Sequence, residues 1–74
     1  MDKWNGRITI NPDQCGGRPC IRGMRIRVTD VLDLYAAGLS SHQILEELPD
    51  LEADDLNSVY LYTSEMIDHP IVLA

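Results

Sequence analysis

The chain has no phenylalanine and a single tryptophan, so the core of this 74-residue protein has to be built from aliphatic side chains. Long hydrophobic stretches are also absent, and no apolar run approaches the ~20 residues that a helix needs to cross a bilayer. The N-terminal residues lack the apolar segment of a signal peptide. We therefore expect a cytoplasmic protein that does not span a membrane, with its cysteines reduced.

Potential metal ligands and catalytic groups are scarce. The two cysteines, Cys15 and Cys20, are spaced C-x4-C, and the two histidines, His42 and His69, lie on different predicted elements. A structural zinc site usually needs four ligands in closely spaced pairs. No serine triad, paired catalytic carboxylates or complete phosphate-binding loop is visible either. We expect no metal, no cofactor and no enzyme activity, and we interpret the cysteines as small buried thiols.

Basic residues are absent after Arg27. The segment before Val28 holds all six basic residues and two acidic ones, a net charge of +4, whereas the remainder holds ten acidic residues and none that is basic, a net charge of −10. Such asymmetry indicates either two faces with different partners or attraction between the two parts of the fold. The acidic residues on the predicted helices are interpreted as solvated faces.

The N-terminal third has the pattern of short strands. Residues 7–10 alternate polar and apolar side chains, and Pro12 lies in a turn. A second extended piece at 18–22 leads through Gly23 into residues 24–28, whose apolar side chains alternate with arginines. The pattern predicts a small antiparallel sheet with an arginine-rich outer face, preceded by a leader at 1–6 in which Trp4 is expected to pack against the core or a partner.

Three helices are predicted in the rest of the chain. The first runs over 30–37 with Thr29 as N-cap and Gly38 as a left-handed terminator. The second runs over 41–48, where Ser40 and Gln43 have the spacing of a capping box. The third runs over 53–67, with a predicted inward stripe of Leu56, Val59, Tyr60, Thr63 and Met66 or Ile67, and an apolar tail follows at 68–74.

These elements predict a mainly α, single-domain protein of residues 1–74. The predicted fold is a tri-helical helix-turn-helix (homeodomain-like) domain with a short N-terminal antiparallel β element. In such folds the last helix enters the major groove of DNA, where Asn57 and Ser58 are candidates to contact base edges. Glu52, Asp54 and Asp55 at the start of that helix would repel phosphates, and no cation lies near them in the sequence. In a dimer, Arg25 and Arg27 on the sheet are the other candidates for DNA contact.

The stretch CGGRPCIRGMRIRV, followed by VLDLYAAGLSSHQILEELPDL, resembles a small bacterial family. That family is catalogued as domain of unknown function number four-three-three and is related to VapB-type antitoxins. Its pattern C-G-G-[KR]-P-[CV]-I-[KR]-G-[TM]-R-[IV] fits residues 15–26, and further positions fit from about residue 7 to 66. Two positions depart from it, since Met24 replaces the usual threonine and Glu52 replaces the usual serine or threonine cap.

The resemblance implies a non-enzymatic antitoxin that binds a PIN-like ribonuclease toxin, and repression of its own operon is a second expectation. Such nucleases hold their metals with carboxylates, which arginines can contact in bidentate geometry. The predicted contact residues are Arg18, Arg22, Arg25 and Arg27, and replacing Arg22 and Arg25 by alanine is expected to weaken toxin binding and leave the fold intact. The alternatives are a DNA-binding regulator or a plain dimeric interaction module, and a homodimer is expected in each case.

Overall fold

The protein consists of a two-stranded antiparallel sheet followed by three helices. The computed structural model describes residues 6–67, so Trp4, the predicted leader before Gly6 and the predicted tail at 68–74 lie outside the described residues. The elements are β1 (Ile8–Thr9), β2 (Cys20–Ile21), α1 (Val28–Ala36), α2 (Ser41–Glu47) and α3 (Ala53–Ile67). A single 3-10 turn at Cys15–Gly17 lies between the two strands. The mainly helical architecture predicted from the sequence is confirmed.

The sheet is smaller than the sequence predicts. Ile8 pairs with Ile21 and Thr9 with Cys20, but residues 24–28 add no third strand. This segment instead runs antiparallel to β2. It is joined to β2 by an isolated bridge between Cys20 and Arg27 and by a hydrogen bond from the Ile21 N–H to the Ile26 carbonyl, 2.9 Å. The predicted alternation of apolar and basic side chains is present in this segment, since Met24 is half-buried, Arg25 is exposed and Val28 is buried. Val28, however, is already the first residue of α1.

The turn between β2 and this returning segment has an unusual backbone. Arg22 and Gly23 both have positive φ, 48° and 70°, and the Met24 N–H donates to the Ile21 carbonyl at 2.9 Å. Two successive positive φ values are typical of a type I′ hairpin turn. Glycine adopts this conformation freely, whereas an arginine there is strained. The contacts of the Arg22 side chain, described below, compensate for that strain.

The helix ends follow most of the predicted capping signals. Ser40 caps α2, its side chain accepts from the Gln43 N–H at 3.2 Å, and Gln43 closes the capping box. Gly38 has φ 97° and ends α1 with hydrogen bonds from Gly38 to the Tyr35 carbonyl and from Leu39 to the Leu34 carbonyl, the pattern of a Schellman motif. The predicted N-cap Thr29 is wrong, because α1 begins at Val28, two residues before its predicted start, and its N-cap is Arg27.

The core lies where the sheet meets the three helices. Its nine buried members are aliphatic apart from one tyrosine: Ile8, Ile21, Val28, Val31, Ile44, Leu51, Leu56, Val59 and Tyr62. The predicted inward stripe of α3 is wrong in part, because Tyr60, Met66 and Ile67 are more than half exposed. The buried positions of α3 are instead Asp55, Leu56, Ser58, Val59 and Tyr62. The helix is therefore rotated so that an aspartate and a serine face the interior.

Candidate functional site

A buried carboxylate joins the start of the chain to α3. Asp55 is fully buried, and its Oδ1 accepts from Arg7 Nη1 at 2.8 Å. Arg22 adds a two-pronged contact, from Nε to Oδ1 at 3.0 Å and from Nη2 to Oδ2 at 2.8 Å. The backbone N–H of Glu52 also donates to Oδ2 at 2.8 Å. We call Arg7, Arg22 and Asp55 the arginine–aspartate cluster.

Each member of this cluster is placed by a local feature of the sequence. Arg7 directly precedes β1, and the positive-φ turn at Arg22 directs that side chain to the start of α3. There Arg22 Nη2 also donates to the Asp50 carbonyl at 2.8 Å. Asp55 is the third residue of α3, so its carboxylate reaches back to the Glu52 N–H as the acidic half of a capping box. This contact satisfies an N–H of a helix whose capping position carries Glu52 instead of serine or threonine.

The cluster holds Asp55 in its ionised form. Burial alone would raise the pKa of Asp55, but the hydrogen bonds from Arg22, from the Glu52 N–H and from Arg7 outweigh it and hold the pKa below its ordinary value of 3.8. The pKa of Asp30 is lowered in the same way, because hydrogen bonds from the Arg27 side chain and backbone outweigh burial. Both carboxylates are therefore charged at neutral pH.

We predict that these two carboxylates make the fold acid-sensitive. Because the pKa of each is lower in the folded chain than in the unfolded one, their stabilising effect is complete above the ordinary value of 3.8 and is lost as the pH falls below it. Urea unfolding from about pH 6 to about pH 3 should show a free energy of unfolding that falls with acid. A free energy that stays constant over this range would contradict the prediction.

The four arginines predicted to contact a partner differ in their surroundings. Arg22 belongs to the cluster, and Arg27 pairs with Asp30 at 3.0 Å, from Nη2 to Oδ1. Arg18 and Arg25 are exposed, and neither makes an ion pair with another residue of the described range 6–67. Because Arg22 links the β2 turn to α3, we now expect its replacement by alanine to destabilise the fold and not to leave it intact.

The two residues of α3 predicted to reach base edges are placed differently. Asn57 is exposed, but Ser58 is only 3% exposed, because it lies on the buried face with Asp55 and Val59. The Ser58 hydroxyl is thus withdrawn from the helix surface, and its predicted role at base edges is wrong. Within residues 6–67, moreover, no group of three histidine, cysteine, aspartate or glutamate side chains could hold a metal ion.

An apolar groove opens between α1 and α3, with a volume of about 310 Å³. Its floor and walls are formed by Val28, Leu32, Tyr62, Met66 and Ile67, and Arg18 and Pro19 lie at one rim. Thr63 also lines it, and the Thr63 Oγ1 is buried without a hydrogen-bond partner in the described part of the chain. We call this the α1–α3 groove. It combines apolar surface with a guanidinium group and a hydroxyl that have no ion pair or hydrogen-bond partner, respectively, among residues 6–67.

Sequence reasoning missed the arginine–aspartate cluster and the α1–α3 groove. The signal for Asp55 was present, because Asp55, Ser58, Val59 and Tyr62 have the i, i+3, i+4, i+7 spacing of one helix face. A carboxylate on such a face is rarely buried without a partner, and the arginines of the N-terminal third could have been assigned to it. The groove had no comparable signal, because it arises from the angle between two helices.

Comparison with known proteins yields relatives without an assigned function. The chain is 40% identical over 55 residues to uncharacterized protein y4eO of Sinorhizobium fredii (strain NBRC 101917 / NGR234), an alignment that covers 74% of this chain. It spans about a quarter of that relative's length, 25%. No solved structure matches, and no helix within residues 6–67 is long and apolar enough to cross a membrane. Residues 8–63 match the family described as protein of unknown function (DUF433), and the chain belongs to that family.

Proposed function

We propose that this protein is an antitoxin-like module that binds a PIN-like ribonuclease through its α1–α3 groove and Arg18. The observation that carries the proposal is an exposed arginine that makes no ion pair within residues 6–67 and lines an apolar groove. Protein interfaces are enriched in arginine and aromatic side chains at their centres. The mainly helical scaffold is interpreted as helix-turn-helix-like (homeodomain-like), with α3 serving to build the groove.

The charges around the groove favour an acidic partner. Arg7, Arg22 and Arg27 form ion pairs with Glu52, Asp55 and Asp30, so the arginines left for a partner within residues 6–67 are Arg18 and Arg25. A metal-dependent nuclease presents several carboxylates at its active site, and a guanidinium group binds a carboxylate through two parallel hydrogen bonds. An apolar side chain of the partner would fill the groove, and a carboxylate next to it would bind Arg18. A hydrogen-bond donor of the partner would satisfy the Thr63 hydroxyl oxygen.

We predict that replacing Arg18 by alanine weakens binding to the PIN-like toxin about tenfold or more, the range of a hot-spot residue. Met66→Glu should have a similar effect, because it places a charge against the apolar wall. Isothermal titration with a purified PIN-like ribonuclease measures the Kd. Both residues are exposed, so the unfolding midpoint of either variant should match that of the parent chain.

The matched control is Gln43→Glu. It lowers the net charge by one, as Arg18→Ala does, but lies on α2 away from the groove, and glutamate keeps the capping-box geometry with Ser40. An unchanged Kd for Arg18→Ala and Met66→Glu would overturn the proposed surface. A concentration-dependent homodimer that Met66→Glu dissociates, seen by sedimentation without toxin, would assign the groove to a second copy of the chain.

Operator binding is the second candidate function, and exposed Arg25 in the hairpin is the observation that favours it. The start of α3 favours it less, since Glu52 and Asp54 are exposed there and Ser58 is buried. A gel shift with the upstream DNA at several salt concentrations distinguishes the two functions, because a protein that neutralises phosphates loses affinity steeply with salt. A shift that is absent, or that does not respond to salt, would argue against a DNA-binding role.

A further inference from the structure

The two cysteines lie in one compact loop but differ sharply in exposure. Cys15 begins the 3-10 turn and is half-buried, whereas Cys20 lies in β2 and is 2% exposed. Cys15 has a positive φ of 53°, which is uncommon for a residue other than glycine. Both thiols are free. Reagents in solution therefore have access to Cys15, and they reach Cys20 only through Cys15 or after unfolding.

Hydrogen bonds close the loop that contains the two cysteines and direct the Cys20 side chain into it. The Arg18 N–H donates to the Cys15 carbonyl at 3.2 Å, which closes a turn, and the Cys20 Sγ donates to the Arg18 carbonyl at 3.4 Å. The Val28 N–H holds the far side of the loop through the Pro19 carbonyl at 3.0 Å. The Cys20 side chain thus points back into the loop that Cys15 begins.

The surroundings of Cys20 favour its protonated thiol. Burial raises the pKa of Cys20 to about 11, and hydrogen bonding and charge from Cys15 act in the same direction, whereas the Arg27 charge opposes them. The Arg27 guanidinium group is therefore close enough to favour a thiolate in this loop. The loop thus holds a shielded thiol and an accessible one, and the described residues contain no group of three side chains that could hold a metal ion.

We propose that Cys15 and Cys20 form a modification site that low-molecular-weight disulfides, such as oxidised glutathione, convert into an intramolecular disulfide. The Cys15 thiolate attacks one sulfur of the small disulfide and releases one thiolate, leaving a mixed disulfide at Cys15. Cys20 then loses its proton and its thiolate attacks the Cys15 Sγ, which releases the second small thiol. Two protein thiols are oxidised, and one small disulfide is reduced to two thiols.

The site has a structural consequence for the residues between the cysteines. Arg18 and Pro19 form one rim of the α1–α3 groove, and a bond between Cys15 and Cys20 would hold this rim in a closed six-residue loop. Formation of the disulfide would therefore restrict the backbone motion of Arg18 and Pro19 at this rim. The chemistry of the thiol pair stands apart from toxin binding, so its test does not depend on the proposed function.

The test treats the folded, reduced protein with oxidised glutathione and follows intact mass and free thiols. We expect a product lighter than the reduced chain by two hydrogen atoms, with no free thiol and little lasting glutathione adduct. Dithiothreitol should return both thiols. Circular dichroism before and after oxidation confirms that the chain stays folded throughout.

Two variants identify the order of the steps. Cys20→Val keeps an apolar side chain of similar size in β2 and should stop at the mixed disulfide on Cys15. Cys15→Ser should keep Cys20 unmodified while the protein is folded, because that thiol is shielded from solution. A parent chain that stops at the glutathione adduct, stays a dithiol, or forms disulfide-linked dimers would overturn the proposal.

Discussion

Replacing Asp55 by alanine is expected to lower the free energy of unfolding by about 3 kcal/mol, the lower end of the range for breaking a buried ion pair. The carboxylate is fully buried and receives hydrogen bonds from Arg7, Arg22 and the Glu52 N–H. Its removal leaves Arg22 with only the Asp50 carbonyl, Arg7 with the exposed carboxylates of Glu52 and Asp54, and the start of α3 without its acidic cap. The value lies at the lower end because both arginine side chains are partly exposed to water, 22% and 36%.

The matched control is Asp54→Asn, one residue earlier on α3. Asp54 is 74% exposed at its side chain and lies 3.7 Å from Arg7 Nη2, so its carboxylate adds little. We expect this variant to change the free energy of unfolding by less than about 0.5 kcal/mol. Urea unfolding of both variants measures the difference. If Asp55→Ala were no less stable than Asp54→Asn, the arginine–aspartate cluster would not hold β1, the β2 turn and α3 together.

Replacing Ile21 by alanine is expected to cost about 3 kcal/mol, a typical value for truncating a buried isoleucine. Ile21 is fully buried, pairs with Ile8 across the sheet and belongs to the core shared with the helices. Two strands of two residues each are unstable alone in water. The sheet therefore depends on the burial of Ile21 against the helices. A cavity at position 21 would weaken the packing of the sheet and of the helices around it.

Ile10→Ala is the control for this second variant. Ile10 follows β1 and has the same side chain, but it is 61% exposed, so its truncation should change stability by no more than about 0.5 kcal/mol. Thermal unfolding followed by circular dichroism measures both variants. Similar midpoints for Ile21→Ala and Ile10→Ala would show that the sheet contributes nothing to the core. A loss near that of Asp55→Ala would place the sheet and the cluster in one cooperative unit.

The features predicted well from the sequence are those that depend on neighbours along the chain. Ser40 and Gln43 form their capping box, Gly38 ends α1 in a left-handed conformation, and α3 has the predicted bounds. Each depends on hydrogen bonds that span at most five residues, so the local sequence specifies it. The first helix was placed too late because Asp30, three residues after Arg27, accepts the Arg27 N–H at 2.8 Å.

The candidate site was predicted poorly because it depends on contacts distant along the chain. Arg22 and Asp55 are 33 residues apart, and Arg7 and Asp55 are 48 apart. The charge asymmetry between the two parts of the chain left two possibilities open, an outside partner or attraction within the fold. The structure supports attraction within the fold for Arg7 and Arg22, while Arg18 and Arg25 keep the prediction of an outside partner.

The presence of three helices, the caps at Ser40 and Gly38, and the family could be read from the sequence, because local hydrogen bonding and a distinctive glycine-rich motif specify each of these. The N-cap of α1, the arginines that form ion pairs within the fold, the buried face of α3 and the groove beside Arg18 emerged only from the folded chain. The physical reason is that a buried carboxylate must be compensated by whatever cations the folded chain brings within hydrogen-bond distance. That choice depends on how the helices pack against the sheet, which no stretch of the sequence specifies alone.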